Sequence, residues 1–141
     1  MKKTKKQTKK VNLFIVDNDE YYGLPVKHSL EKKFRKDIII NVFPDTESCL
    51  DGMKLSDKKT NMVLLDYSEN KTLIKKNSSY VVDYIQKTSP ATAIIMLSDK
   101  NHASRALKAT ANGTHVFIPK NEFAYEHIFS SVERCLHAAR A

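Results

Sequence analysis

Asn61-Met62-Val63-Leu64-Leu65-Asp66-Tyr67 constrains this chain more than any other stretch. A short, unbroken apolar run that ends abruptly in a carboxylate reads as a strand buried on both faces, as in the middle of a parallel sheet. Its carboxylate then falls at the carboxyl end of the strand, where open α/β sheets place their ligand sites. Three more apolar runs end in polar residues: Leu13-Phe14-Ile15-Val16 into Asp17-Asn18-Asp19, Ala93-Ile94-Ile95-Met96-Leu97 into Ser98-Asp99, and Val116-Phe117-Ile118 through Pro119 to Lys120. If these strands are parallel neighbours, carboxylates, a hydroxyl and an ammonium gather on one edge around Asp66.

The segments between the runs carry helical patterns. Tyr22, Val26, Leu30 and Phe34 recur every four residues and form one apolar stripe. Pro25 is either the first helical residue or a kink in a helix that starts earlier. Lys32, Lys33, Arg35 and Lys36 suit that helix's C-terminus. Residues 38–43 read as the second strand, and Pro44-Asp45-Thr46 ends it and offers a helix N-cap. Cys49, Leu50 and Met53 then face inward from a short helix. Residues 67–77 are polar apart from Leu73-Ile74 and read as a long loop over the strand edge. Ser78 or Ser79 caps a helix with Val81, Val82 and Ile85 inward, stopped at Ser89-Pro90. Ala103, Ala106, Leu107, Thr110 and Ala111 mark a helix with a small-residue inner face. A last helix from about Glu122 turns Phe129, Val132 and Leu136 inward. Strand and helix alternate five times, and right-handed crossovers put helices on both faces of a parallel sheet. Residue order alone leaves the strand order open.

Charge is unevenly placed. Of the net +8, six charges belong to Lys2, Lys3, Lys5, Lys6, Lys9 and Lys10, which leaves +2 for the rest. Residues 1–10 therefore read as a basic disordered tail and 11–141 as one domain. The tail is expected to be solubilising, so any contact with nucleic acid is confined to it. No apolar run reaches the length of a membrane span, and no secretory signal follows the basic start, which favours the cytoplasm. Cys49 and Cys135 make no metal motif and read as buried, reduced thiols. Gly23, Gly52 and Gly113 are scattered and form no phosphate loop, which argues against an enzyme acting on a diffusible phosphate or nucleotide. His28, His102, His115, His127 and His137 lack metal-ligand spacing and are expected mostly at the surface.

The gathered edge has a definite chemistry. Asp17, Asp19 and Asp66 with Asn18 form an oxygen-rich site suited to Mg²⁺. Asp66 could act as a nucleophile toward a phosphoryl group, with Ser98 donating a hydrogen bond and Lys120 pairing with the remaining charge. Singly, these residues have plainer readings as a solvated strand end, a helix cap and a surface lysine. Their joint placement at four strand ends selects the chemistry.

Ile15-Val16-Asp17-Asn18-Asp19, Leu64-Leu65-Asp66-Tyr67, Ile95-Met96-Leu97-Ser98 and Phe117-Ile118-Pro119-Lys120 together resemble the receiver domain of two-component response regulators, from Val11 onward. The Gly113-to-Lys120 spacing is similar to the family's. Within the family the chain looks closest to stand-alone receivers with a longer loop after the phosphoacceptor, on the pattern Asn77-Ser78, Val81-Val82, Ile85, Ser89-Pro90 and Pro119-Lys120-Asn121-Glu122. The resemblance implies a flavodoxin-like (βα)5 fold with strand order 2-1-3-4-5. It implies that Asp66 accepts a phosphoryl group from a histidine kinase or phosphotransfer protein, with Ser98 and Lys120 assisting. It implies Mg²⁺ held by Asp17, Asn18, Asp66 and the backbone carbonyl of Ser68, and a switch made of Ser98 and Phe117. The expected output is binding of a downstream protein near the fourth helix and fifth strand, since no DNA-binding domain follows Ala141. Enzymatic activity is expected to stop at the domain's own phosphorylation and dephosphorylation, which Ser68 and Lys100 are placed to tune. Three residues depart from the family pattern. Asn18 stands where the family has a second acidic metal ligand, and its neutral carbonyl lowers metal affinity. Phe117 lacks the hydroxyl of the usual switch tyrosine, and Asp99 replaces a small residue, whereas Asn121, where most receivers have a proline, is a trait of the stand-alone subgroup that the chain resembles. The alternative expectation is a degenerate receiver that binds its partner without phosphorylation because of Asn18.

Overall fold

The computed structural model describes residues 10–17, 20–56, 58–66, 78–98 and 116–140. These build five parallel strands: β1 (Val11–Val16), β2 (Ile38–Phe43), β3 (Met62–Asp66), β4 (Ala93–Ser98) and β5 (Val116–Pro119). Their order across the sheet is β2-β1-β3-β4-β5, the flavodoxin-like order that the resemblance implied. The helices among the described residues are α1 (Glu20–Phe34), α2 (Thr46–Leu55), α3 (Ser78–Thr88) and α4 (Ala124–Ala139). The helix expected around Ala103–Ala111, the loop expected over 67–77 and the basic tail to residue 9 lie outside the described residues.

The central strand is apolar throughout because both of its faces are covered. All five residues of β3 are buried. Side chains alternate along a strand, so successive residues enter different cores. Leu13, Ile15, Met62, Leu64 and Ile95 pack with Val26 and Leu30 of α1 and with Ile128 and Val132 of α4. Phe14, Val16, Val63, Leu65, Ile94 and Met96 pack on the other face with Cys49 and Leu50 of α2 and Val81, Val82 and Ile85 of α3. The register brings the polar ends together. Val16 lies beside Leu65, Asp66 beside Leu97, and Ser98 beside Pro119.

Local signals set most element ends. Asp45 caps α2, its side chain accepting from the Ser48 N–H at 2.7 Å. α1 starts at Glu20, so Pro25 lies inside it rather than at its first position. The proline ring removes one backbone donor from the helix interior. The three residues Arg35–Asp37 form a 3₁₀ turn into β2, and the Arg140 guanidinium reaches Asp37 at 2.6 Å, tying the end of α4 to that turn.

On α4 Phe129, Val132 and Leu136 face the core as expected, Val132 buried and the other two half-buried, and Ala124, Ile128 and Ser131 complete the buried stripe. The thiols differ from the expectation in one respect. Cys135 is half-buried rather than buried, whereas Cys49 is fully buried, and both thiols are free. His28, His127 and His137 are exposed as expected, and His102 and His115 lie outside the described residues.

Candidate functional site

Asp66 closes β3, and only 7% of it is exposed. The Lys120 ammonium donates to Asp66 Oδ2 at 2.7 Å. Lys120 is held there by its own backbone, whose N–H donates to the Ser98 carbonyl at 2.7 Å and so extends the β4–β5 ladder by one residue. Asp17 follows β1 and is 4% exposed. Its N–H donates to the Phe43 carbonyl at 3.0 Å, which continues the β1–β2 ladder. Its Oδ2 accepts from the Gly23 N–H in the early part of α1, so the positive end of that helix faces the carboxylate. Ser98 is fully buried at the end of β4. Phe117 on β5 is half-buried and packs against the core on the α2 and α3 side.

Four of the expected residues are thus brought together: Asp17 and Asp66 as neighbouring carboxylates, Lys120 on Asp66, and Ser98 beneath Lys120's backbone. Asn18 and Ser68, the other two expected metal ligands, lie outside the described residues.

Electrostatics favour a cation here. Burial pushes the Asp66 carboxyl up to about 6, and the Asp17 carboxylate adds to that rise while Lys120 opposes it. Two buried carboxylates facing one ammonium leave an excess of negative charge, which burial makes costly. No cluster of three or more His, Cys, Asp or Glu side chains occurs among the described residues. A carboxylate pair nevertheless fits Mg²⁺, which is bound through one or two carboxylates and keeps several waters.

Two contributors to the site are not visible in the spacing of residues. In sequence, Gly23 is one of three scattered glycines. A Cβ there would stand 2.9 Å from Asp17 Oδ2 and 3.1 Å from Val42 Cγ1, so only glycine lets α1 approach this closely. In sequence, Tyr22 is the first member of the apolar stripe. Its ring centre is 4.7 Å from the Lys120 ammonium. The available signal was sequence proximity, since both residues begin the helix that follows Asp17.

No family model and no curated protein sequence matches the chain. Solved structures do. An NtrX chain from Brucella abortus, in complex with ADP, is 21% identical with a TM-score of 0.75, over 92% of this chain and 28% of that one. A response regulator receiver domain protein from Clostridium thermocellum is 14% identical with a TM-score of 0.74, over 91% of this chain and 95% of that one. The BeF3-activated receiver domain of DrrB is 21% identical with a TM-score of 0.67, over 91% of this chain and 98% of that one. The chain has the fold of the response-regulator receiver domains, a five-stranded parallel sheet in the order 2-1-3-4-5.

Proposed function

We propose that this chain is a receiver of two-component phosphorelay signalling that takes a phosphoryl group on Asp66 from a histidine kinase or phosphotransfer protein. The observation that carries the proposal is the buried Asp66 carboxylate held by Lys120 at 2.7 Å, with the buried Asp17 carboxylate at the neighbouring strand end. An Asp66 oxygen attacks phosphorus, the donor's P–N bond breaks, its electron pair leaves with the imidazole nitrogen, and an acyl phosphate forms. A carboxyl that ionises at about 6 is a nucleophile at neutral pH. The Lys120 ammonium then pairs with a phosphoryl oxygen. Ser98 is fully buried at the end of β4, where its hydroxyl would donate to a phosphoryl oxygen, and Phe117 on the next strand packs on the adjoining core. Charge added at one point biases a two-state element, and a switched protein-binding surface is the output rather than turnover of a diffusible substrate. Asp17 and Asp66, with Asn18 and the Ser68 backbone carbonyl, would hold Mg²⁺, which supplies positive charge against the phosphoryl oxygens. No helix among the described residues is long and apolar enough to cross a membrane.

The test is incubation of the protein with acetyl phosphate, with and without Mg²⁺, read by intact mass. A Mg²⁺-dependent phosphate adduct that is lost in Asp66→Asn supports the proposal. Asn18 favours a second reading, a receiver whose metal site is disabled and which binds its partner constitutively. No adduct in the wild type, with an adduct in Asn18→Asp, would decide for that reading.

A further inference from the structure

We infer that Tyr22 is a positioning residue for phosphoryl transfer: its ring face holds the Lys120 ammonium over Asp66 without competing for the oxygen that arrives. This inference rests on the proposed acceptor role of Asp66. The ammonium lies 2.7 Å from Asp66 Oδ2 and 4.7 Å from the Tyr22 ring centre, so one cation is shared between a carboxylate and a π face. A lysine side chain is long and rotamer-rich, and Lys120 keeps 22% of its side chain exposed. The carboxylate alone would let the ammonium rotate out to water each time Asp66 is screened or modified.

A tyrosine ring attracts a cation through its quadrupole and presents no lone pair on its face. It therefore restrains the charge while leaving the remaining ammonium hydrogens to a phosphoryl oxygen. Burial pushes the Tyr22 phenol up to about 12, so the ring stays neutral at working pH.

The ring is itself braced. Tyr125 of α4 meets Tyr22 edge-on, with centroids 6.1 Å apart at 87°. Tyr125 lies tilted against Phe129 at 6.3 Å, and Phe129 meets Phe34 edge-on at 6.3 Å. This ladder joins α1 to α4 along the face of the core and ends at Lys120. Nothing in the apolar spacing of Tyr22, Val26, Leu30 and Phe34 required an aromatic ring at its first position, where any core side chain would satisfy packing alone.

The experiment uses the full chain with Tyr22→Phe, Tyr22→Leu, Lys120→Met and the Tyr22→Leu/Lys120→Met pair. Urea unfolding of the four proteins needed for the cycle isolates the Tyr22–Lys120 interaction from the packing that leucine also changes. A coupling of about fivefold in the folding constant, about 1 kcal/mol, is expected. Additive effects would overturn the inference. In the second arm, Tyr22→Leu slows adduct formation about fivefold and Tyr22→Phe restores the wild-type rate. Equal slowing in both variants would assign the effect to the phenol hydroxyl and overturn the role of the ring face. A wild-type protein that takes no phosphoryl group would fail the acceptor reading by itself. The unfolding cycle needs no phosphorylation and still upholds or overturns the hold on Lys120.

Discussion

The most exposed consequence of this site is a loss of stability as it ionises. The Asp66 carboxyl is raised from its ordinary 3.8 to about 6, first by burial and then by Asp17, against the pull of Lys120. Between those two values the folded state binds a proton that the unfolded state has released. Stability therefore falls as pH rises through this window. Each unit of difference is worth about 1.4 kcal/mol, so the full loss is about 3 kcal/mol, complete somewhat above pH 6. Asp66→Asn removes the titrating group and keeps the shape. The chain has no tryptophan, so urea unfolding is best followed by circular dichroism at 222 nm, in steps from pH 4 to pH 8. The wild-type minus Asp66→Asn difference should move by about 3 kcal/mol against the wild type over that range, since most other groups cancel in the subtraction. Mg²⁺ at neutral pH should recover stability in the wild type and not in Asp66→Asn, because a ligand that binds only the folded state stabilises it. A difference curve flat to within about 0.5 kcal/mol would refute the argument, since it would mean that Lys120 fully offsets the burial of Asp66.

Two further outcomes concern the starts of α1 and α2. Gly23→Ala should destabilise by about 1–2 kcal/mol in urea, although alanine is the better helix former, because the new Cβ would stand 2.9 Å from Asp17 Oδ2 and 3.0 Å from Asp17 Cβ. A gain of about 1 kcal/mol would show that helix propensity outweighs the crowding. Asp45→Ala should cost about 1 kcal/mol by leaving the Ser48 N–H without its cap, and an unchanged urea midpoint would refute the capping role.

Several elements were legible because their signals are local. Residues 38–43 read as a strand from apolarity alone and form β2 with those limits. Ser98 ends β4 as expected, and of the Pro44-Asp45-Thr46 stretch expected to offer a cap, Asp45 caps α2. What spacing leaves open lies where two elements meet. The expected inner face of α4, Phe129, Val132 and Leu136, does pack on the core, but the most deeply buried positions are Ala124, Ile128 and Val132. Spacing along a helix gives the width of an apolar stripe, and the neighbouring surface decides which part of it is buried. The roles of Gly23 and Tyr22 are invisible in sequence for the same reason. One is required by how near α1 comes to Asp17, the other is set against a lysine nearly a hundred residues away.

The sequence by itself determined that short apolar strands end in Asp17, Asp66, Ser98 and a proline before Lys120, because hydrophobic period and an abrupt change in polarity are written in consecutive residues. It also determined that both faces of β3 would be covered, since no half-exposed strand reads as Met-Val-Leu-Leu. Strand order and register were decided only in three dimensions. They depend on which helices pack on which face and how each crossover closes. That decision set Val16 beside Leu65 and Ser98 beside Pro119, and so placed two buried carboxylates together with one ammonium on Asp66. The raised Asp66 carboxyl follows from that placement, because burial and a like charge act through space and leave no trace in the order of residues.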